Sequence, residues 1–135
     1  MHSFKWIIEY FQKRHHNPHY LRNAYFDVAN IKFSDDIGDV VNDADIIIIA
    51  VPSIHIESSL SSLDTNAFGG KQIISAVKGV LPKINLLVNQ YLAQKFNFPL
   101  ENYFTLLGPS HAEEVGAEQL SYLTFSGINA QDTAE

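Results

Sequence analysis

Cysteine is absent from the 135-residue sequence, which excludes disulfide scaffolds, Fe–S clusters and cysteine-rich zinc sites. Charged residues are also scarce, at 18%, and the formal net charge of −6 argues against duplex nucleic acid or an anionic membrane surface as a partner. No apolar run reaches the roughly 20 residues that span a bilayer, and the first ten residues lack the pattern of a signal peptide. We therefore expect a soluble, intracellular globular protein that binds no nucleic acid and inserts into no membrane.

The sequence also lacks a common dinucleotide-binding motif. The glycine-rich fingerprint G-x-G-x-x-G, which cradles the pyrophosphate of dinucleotides, does not occur in the sequence. Gly69 and Gly70 precede an apolar run instead of following one. The residues by themselves therefore do not establish dinucleotide binding.

Two hydrophobic periods alternate along the chain. Four consecutive isoleucines within 45–51 predict a strand buried on both faces, as in a parallel sheet covered by helices. Similar runs predict strands at 30–34, 72–77, 103–107 and 120–125. Helical spacing predicts a first helix that ends at Asn17-Pro18, and further helices at 35–42, 54–63, 84–96 and 112–118. The alternation predicts an α/β fold with a doubly wound, mostly parallel sheet.

Lys78 is the most informative single residue, because ligands of open α/β sheets bind at the carboxyl ends of the strands. It directly follows an apolar strand and precedes Gly79, which allows either close backbone approach or a left-handed turn. A lysine there can hold a phosphate or polarise a carbonyl group. An ordinary solvated lysine in a strand-to-helix loop fits the same position equally well.

The run from Gly108 to Glu114 lies at a second strand-to-helix junction. Ser110 and Glu113 have the spacing of a capping box, and the free N–H groups of such a helix start attract anions. The run also approximates the G-x-S-x-G nucleophile elbow, but no histidine follows His111, which argues against a serine hydrolase. The residues alone therefore predict an anion or phosphate site near Lys78 and Ser110.

Three of the six histidines cluster at positions 15, 16 and 19. Pro18 breaks any helix that would place His15 and His19 on one face. No carboxylate with ligand spacing accompanies them, so we expect a polar loop and no metal site.

Four short runs follow one another along the chain: His-Asn-Pro-His-Tyr-Leu at 16–21, Ala-Val-Pro-Ser at 50–53, Ser-Ala-Val-Lys-Gly at 75–79, and Gly-Pro-Ser-His-Ala-Glu-Glu at 108–114. In this order and spacing they resemble the NAD(P)-dependent glycerol-3-phosphate dehydrogenases, and the first and last are similar to a bacterial branch of that family. Each run alone is weak evidence for this family, whereas the ordered set is specific to it and covers nearly the whole chain.

The resemblance implies an N-terminal Rossmann domain followed by a helical substrate domain. It implies an oxidoreductase that interconverts dihydroxyacetone phosphate and sn-glycerol 3-phosphate by hydride transfer, with NAD or NADP as cofactor, and so feeds phospholipid biosynthesis. It further implies a small-molecule phosphate substrate, a cytoplasmic location and a homodimer for the full-length enzyme.

The site residues implied by the resemblance fall into two groups. Those that would contact substrate are Lys78, Gly108 and Ser110. Those that would contact cofactor are Tyr20, Val51, Pro52, Ala112 and again Lys78. The catalytic lysine of the family belongs to its helical domain, so we expect no catalytic residue here.

The chain also departs from the family pattern. The family opens with a strand, a glycine-rich loop and a second strand that ends near an arginine, and residues 1–5 do not match that arginine region. We therefore expect residues 1–135 to be a partial dinucleotide-binding domain without the first strand, the glycine-rich loop or the helical domain, and to be inactive alone. The alternatives are a hydroxyacyl-CoA or ketopantoate reductase of the same superfamily, or a non-catalytic binding or dimerisation module.

Overall fold

The computed structural model describes residues 5–21, 23–108 and 111–128. The chain divides into two compact units. Unit 1 comprises Met1–Asp36 and Gly108–Leu123, and unit 2 comprises Ile37–Leu107 and Thr124–Glu135. Within the described ranges, no helix has the length and apolar character needed to cross a membrane.

The described residues form five helices and four strands. The helices α1 to α5 are Lys5–Arg14, Ile37–Asp43, Ser53–Leu60, Val88–Phe96 and Ala112–Gly116. The strands β1 to β4 are Ile46–Ile49, Gln72–Ser75, Tyr103–Leu107 and Thr124–Gly127. Two short 3-10 helices occupy Val28–Asn30 and Leu100–Asn102.

All four strands lie in unit 2 and form one sheet in the order β1-β2-β3-β4. β1 and β2 run parallel, with Ile49 opposite Ser75, and β2 and β3 run parallel, with Ser75 opposite Thr105. β4 pairs antiparallel with β3. The predicted mostly parallel sheet is confirmed, and it brings the carboxyl ends of β1, β2 and β3 to one edge.

The core of unit 2 packs against the sheet. Its largest fully buried side chains belong to helices α3 and α4, strand β2 and the loops beside them: Ile56, Phe68, Ile73, Leu81 and Leu92. Phe68 meets the ring of Phe96 edge to face, with ring centroids 4.9 Å apart. Burying each large apolar side chain contributes about 1.5–3 kcal/mol, so this cluster stabilises the fold of unit 2.

The β1 strand departs from its prediction in one respect. Ile49 is buried and Ile47 packs against the core, but Ile46 and Ile48 are 54% and 62% exposed. Burial on both faces is therefore wrong for this strand. Alternate side chains point to opposite faces of a strand, and in the described residues only one face of β1 is covered.

The predicted strand at 30–34 is also wrong. Asp27 accepts a hydrogen bond from the Ala29 amide at 3.2 Å and another from Asn30 Nδ2 at 2.8 Å. These local bonds close the 3-10 helix Val28–Asn30 in place of a strand. Short polar side chains compete in this way with sheet formation.

Two predicted elements start later than their hydrophobic patterns. The pattern at 84–96 contains a tight turn, because Leu81 bridges Leu86 and Asn85 has φ +54, so α4 begins only at Val88. The last strand is shifted from 120–125 to Thr124–Gly127 by its register with β3.

Unit 1 contains α1, the following loop and α5. Phe11 of α1 packs against Phe26 and Phe33, with ring centroids 5.3 and 5.5 Å away. These contacts hold Phe26 and Phe33 against the helix that precedes them.

Candidate functional site

The carboxyl ends of β1 and β2 carry three of the predicted site residues. The Ala76 amide donates to the Ile49 carbonyl at 2.9 Å, so the pairing of the two segments continues one residue beyond β2. Val51 and Pro52 follow β1, and Lys78 follows β2. The parallel register therefore brings Val51, Pro52 and Lys78 to the same edge of the sheet.

The chain turns sharply at each of these two strand ends. Pro52 caps α3 with extended backbone, and its carbonyl accepts a hydrogen bond from the His55 amide at 2.9 Å. After β2, the buried Ser75 hydroxyl accepts from the Val77 amide at 3.3 Å, and Gly79 has φ +78. Of the two roles that the sequence allows for Gly79, the structure shows the left-handed turn.

Lys78 lines a cavity of about 370 Å³ in unit 2. The other lining residues come from the loop after β2, the start of α4 and strand β3: Val77, Gly79, Leu87, Val88, Asn89, Tyr103, Thr105 and Leu107. The lysine side chain is exposed, so its ammonium group is hydrated and available to an incoming anion. The cavity thus combines largely apolar walls with a cation at its rim, as ligand pockets commonly do.

Strand β3 forms one wall of this cavity. Tyr103, Thr105 and Leu107 lie two residues apart, so their side chains share one face of the strand. The Thr105 hydroxyl donates to the Ser126 carbonyl of β4 at 3.4 Å. Sequence reasoning missed this wall, although the period of two along the predicted strand would have identified it.

Tyr103 adds an uncharged polar group to the wall. Burial raises the pKa of its phenol, and a hydrogen bond with Ser75 partly offsets that rise. Ser75 is itself only 1% exposed. At neutral pH the wall therefore presents a neutral hydroxyl, and Lys78 is the charged group of the lining.

Tyr20 lies in unit 1, in a turn that begins at Asn17. The Asn17 side-chain oxygen accepts hydrogen bonds from the amides of His19 at 2.8 Å and Tyr20 at 3.0 Å. The Tyr20 ring is 69% exposed. The next residue, Leu21, has φ +51, and its amide donates to Glu113 Oε1 at 3.0 Å.

Gly108 and Ala112 also lie in unit 1. Gly108 has φ +155, and a Cβ atom there would lie 2.1 Å from the Tyr122 carbonyl oxygen, so only glycine fits. Ala112 is the first residue of α5 and is exposed. Ser110 lies outside the described residues.

The predicted capping box at this junction needs correction. The N-cap of α5 is His111, and among the described residues no side chain makes a capping hydrogen bond to the helix. Glu113 is the second residue of α5, and its carboxylate accepts from the Leu21 amide. The spacing of Ser110 and Glu113 predicts a local cap, but the Glu113 carboxylate bonds to the Leu21 amide, 92 positions away in sequence.

The clustered histidines form structural hydrogen bonds in unit 1. Nδ1 of His15 lies 3.2 Å from the Phe26 carbonyl, and Nδ1 of His16 lies 2.8 Å from the Ala24 carbonyl. The Tyr25 ring stacks on His15 at 5.0 Å. Across the described part of the chain, no group of three or more histidines and acidic residues is arranged to hold a metal ion.

Comparison with known protein families assigns the chain to one of them. Residues 3–133 match the family described as NAD-dependent glycerol-3-phosphate dehydrogenase N-terminus. The chain belongs to this family. The expected family resemblance is therefore confirmed over nearly the whole sequence.

Curated relatives agree with this assignment. The chain is 33% identical over 98 residues to a glycerol-3-phosphate dehydrogenase [NAD(P)+] of Brachyspira hyodysenteriae, covering 73% of this chain and 29% of that protein. It is 30% identical over 126 residues to the enzyme of the same name from Bacillus pumilus, covering 93% and 36% respectively. The chain thus spans about a third of the length of these relatives.

Solved structures agree on the fold. A glycerol-3-phosphate dehydrogenase of Plasmodium falciparum superposes with a TM-score of 0.81 at 27% identity, over 98% of this chain and 37% of that one. The corresponding protein of Dunaliella salina gives a TM-score of 0.81 at 26% identity, over 96% and 24%. The Rossmann-like fold expected from the sequence is confirmed.

Proposed function

We propose that this chain supplies the nucleotide-binding part of an NAD(P)-dependent oxidoreductase that interconverts dihydroxyacetone phosphate and sn-glycerol 3-phosphate. The observation that carries the proposal is the exposed Lys78 cation on a cavity at the carboxyl edge of a mostly parallel sheet. Ligands of open α/β sheets bind at this edge. Family membership and the names of the curated relatives support the same reaction.

The residues of this edge fit a ligand that carries an anionic group beside a less polar surface. Lys78 offers the opposite charge for a phosphate group, and the cavity walls from Val77, Leu87 and Leu107 are apolar. Val51 and Pro52 end the neighbouring strand on the same edge. NAD and NADP both satisfy this description, since they share the nicotinamide and the pyrophosphate.

The proposed reaction needs positive charge near the substrate. A nicotinamide, when bound, supplies or accepts the hydride at the substrate carbon. During reduction, negative charge develops on the carbonyl oxygen, and a fixed cation stabilises that charge. In this proposal Lys78, which follows β2, holds this oxygen or the substrate phosphate, and no catalytic residue belongs to this chain.

The wider proposal follows the family. Residues 1–135 form part of the dinucleotide-binding domain, in keeping with the third of the relatives' length that they span. We also propose Tyr20 and Ala112 as cofactor contacts, and Gly108 and Ser110 as substrate contacts. The whole enzyme acts in the cytoplasm as a homodimer and supplies a precursor of phospholipids.

Lys78→Ala tests the proposal, with Lys83→Ala as the matched control because Lys83 is exposed and does not line the cavity. Fluorescence titration of NADH and NADPH, repeated with dihydroxyacetone phosphate present, measures Kd. We expect Lys78→Ala to raise the Kd of the ligand whose phosphate Lys78 contacts, whether nucleotide or dihydroxyacetone phosphate, about tenfold. This corresponds to about 1.4 kcal/mol of binding free energy. Lys78→Arg keeps the charge and should weaken binding less. Wild-type affinity in Lys78→Ala for every ligand would refute the role of this residue.

A further inference from the structure

A single hydrogen bond joins two segments of unit 1 that are 92 positions apart in sequence. The Leu21 amide donates to Glu113 Oε1 at 3.0 Å. Leu21 has φ +51, in the left-handed region that branched side chains rarely adopt. Such a backbone persists only where its surroundings hold it, and the Glu113 carboxylate is the side-chain acceptor on this amide.

The same turn is fixed at its other end by Asn17. The Asn17 side chain accepts from the His19 and Tyr20 amides, while Glu113 accepts from Leu21. Three successive amides of the 17–21 turn are therefore held by two side chains. Tyr20 lies between the two anchors, and its ring is 69% exposed.

Helix α5 approaches Leu21 through a second residue. A Cβ atom added to Gly116 would lie 3.0 Å from Leu21 Cδ2. Glu113 and Gly116 are three residues apart and therefore share one face of the helix. On that face, the Glu113 carboxylate accepts from the Leu21 amide, and Gly116 permits close approach of the Leu21 side chain.

We propose that Glu113 is a positioning residue that sets the direction of Tyr20 for nucleotide binding through the Leu21 amide. The proposal rests on the proposed function in one respect, namely that Tyr20 contacts the cofactor. It goes beyond that function by assigning a role to an acidic side chain that itself touches no ligand. Glu113 serves the turn by presenting a side-chain oxygen that accepts a hydrogen bond from the Leu21 amide.

Hydrogen exchange of the full 135-residue chain tests the contact directly. We expect Glu113→Ala to speed exchange of the Leu21 amide about tenfold, because the amide then loses its hydrogen bond to the Glu113 carboxylate. Amide exchange within α1 should not change. Glu114→Ala is the matched control, since it removes the neighbouring exposed carboxylate of the same helix. Leu21 exchange that is as slow in Glu113→Ala as in the wild-type chain would overturn the proposal.

Nucleotide affinity tests the positioning role separately from a general loss of structure. Titration with NADH and NADPH should give about a tenfold higher Kd for Glu113→Ala and less than a twofold change for Glu113→Gln, which keeps an acceptor oxygen. In a Tyr20→Ala background, Glu113→Ala should have no further effect, because the double-mutant cycle isolates action through Tyr20.

The outcomes separate this proposal from the function on which it rests. If the wild-type chain binds neither nucleotide, the cofactor function and the positioning role both fail, while hydrogen exchange still decides the Glu113–Leu21 contact. If nucleotide binds and Glu113→Ala weakens it equally with and without Tyr20, Glu113 does not act through Tyr20 and the proposal is wrong. Rescue by Glu113→Gln together with loss of the effect in Tyr20→Ala supports it.

Discussion

At the residue scale, the candidate site depends on a few side chains whose surroundings set their chemistry. Lys78 could be identified from the sequence because it follows an apolar strand and precedes a glycine. The Glu113 contact with Leu21 could not, because a hydrogen bond across 92 positions leaves no local pattern. Tyr103 was placed in the correct strand, but its role in the cavity wall depends on the neighbouring strands.

Tyr103 gives a pH prediction at this scale. Burial is the main cause that raises the pKa of its phenol above the usual value of 10.0, so the folded state holds the proton longer than the unfolded state. The stability that the protonated Tyr103 phenol contributes to the folded state is fully present below pH 10. It is lost as the pH rises through the higher pKa of the folded state.

Tyr103→Phe should therefore make the free energy of unfolding fall less steeply with pH above 10. Urea denaturation at a series of alkaline pH values measures the slope. The control is Tyr122→Phe, because the Tyr122 ring is 66% exposed. An unchanged slope in Tyr103→Phe would contradict the assignment.

At the element scale, the strands with β-branched or alternating apolar runs formed where the sequence predicts them. β1, β2 and β3 lie within the predicted ranges 45–51, 72–77 and 103–107. The predictions are wrong where local polar contacts determine the backbone conformation. Asp27, for example, bonds to Ala29 and Asn30 next to the predicted strand 30–34. The exposure of Ile46 and Ile48 was also not predictable, because burial depends on what covers each face of the strand.

Strand β1 gives a prediction at this scale, because its pairing within the described residues is to β2 alone and Ile48 is 62% exposed. An apolar edge strand promotes edge-to-edge association, and a lysine on it opposes association. We expect Ile48→Lys to reduce concentration-dependent aggregation, measured by light scattering. Ile54→Lys is the control, since Ile54 is similarly exposed, at 56%, but lies on α3. Equal aggregation of Ile48→Lys and the wild-type chain would show that this edge is not responsible.

At the scale of the whole molecule, four short sequence runs in order are enough to indicate the family. The division into two compact units could not, because it depends on how the 108–123 segment returns to the first 36 residues. Three predicted site residues share the carboxyl edge of the sheet in unit 2, and Tyr20, Gly108 and Ala112 lie in unit 1. The interpretation of residues 1–135 as a partial dinucleotide-binding domain stays a prediction.

Binding of a nicotinamide nucleotide by this chain is tested most directly by a thermal unfolding scan. The scan compares the chain alone with the chain in saturating NADH, NADPH or dihydroxyacetone phosphate. A nucleotide present at about 100 times its Kd should add about 2.7 kcal/mol to the stability of the folded state, so we predict a higher Tm with one or both nucleotides. A cooperative transition that no nucleotide shifts would contradict the account.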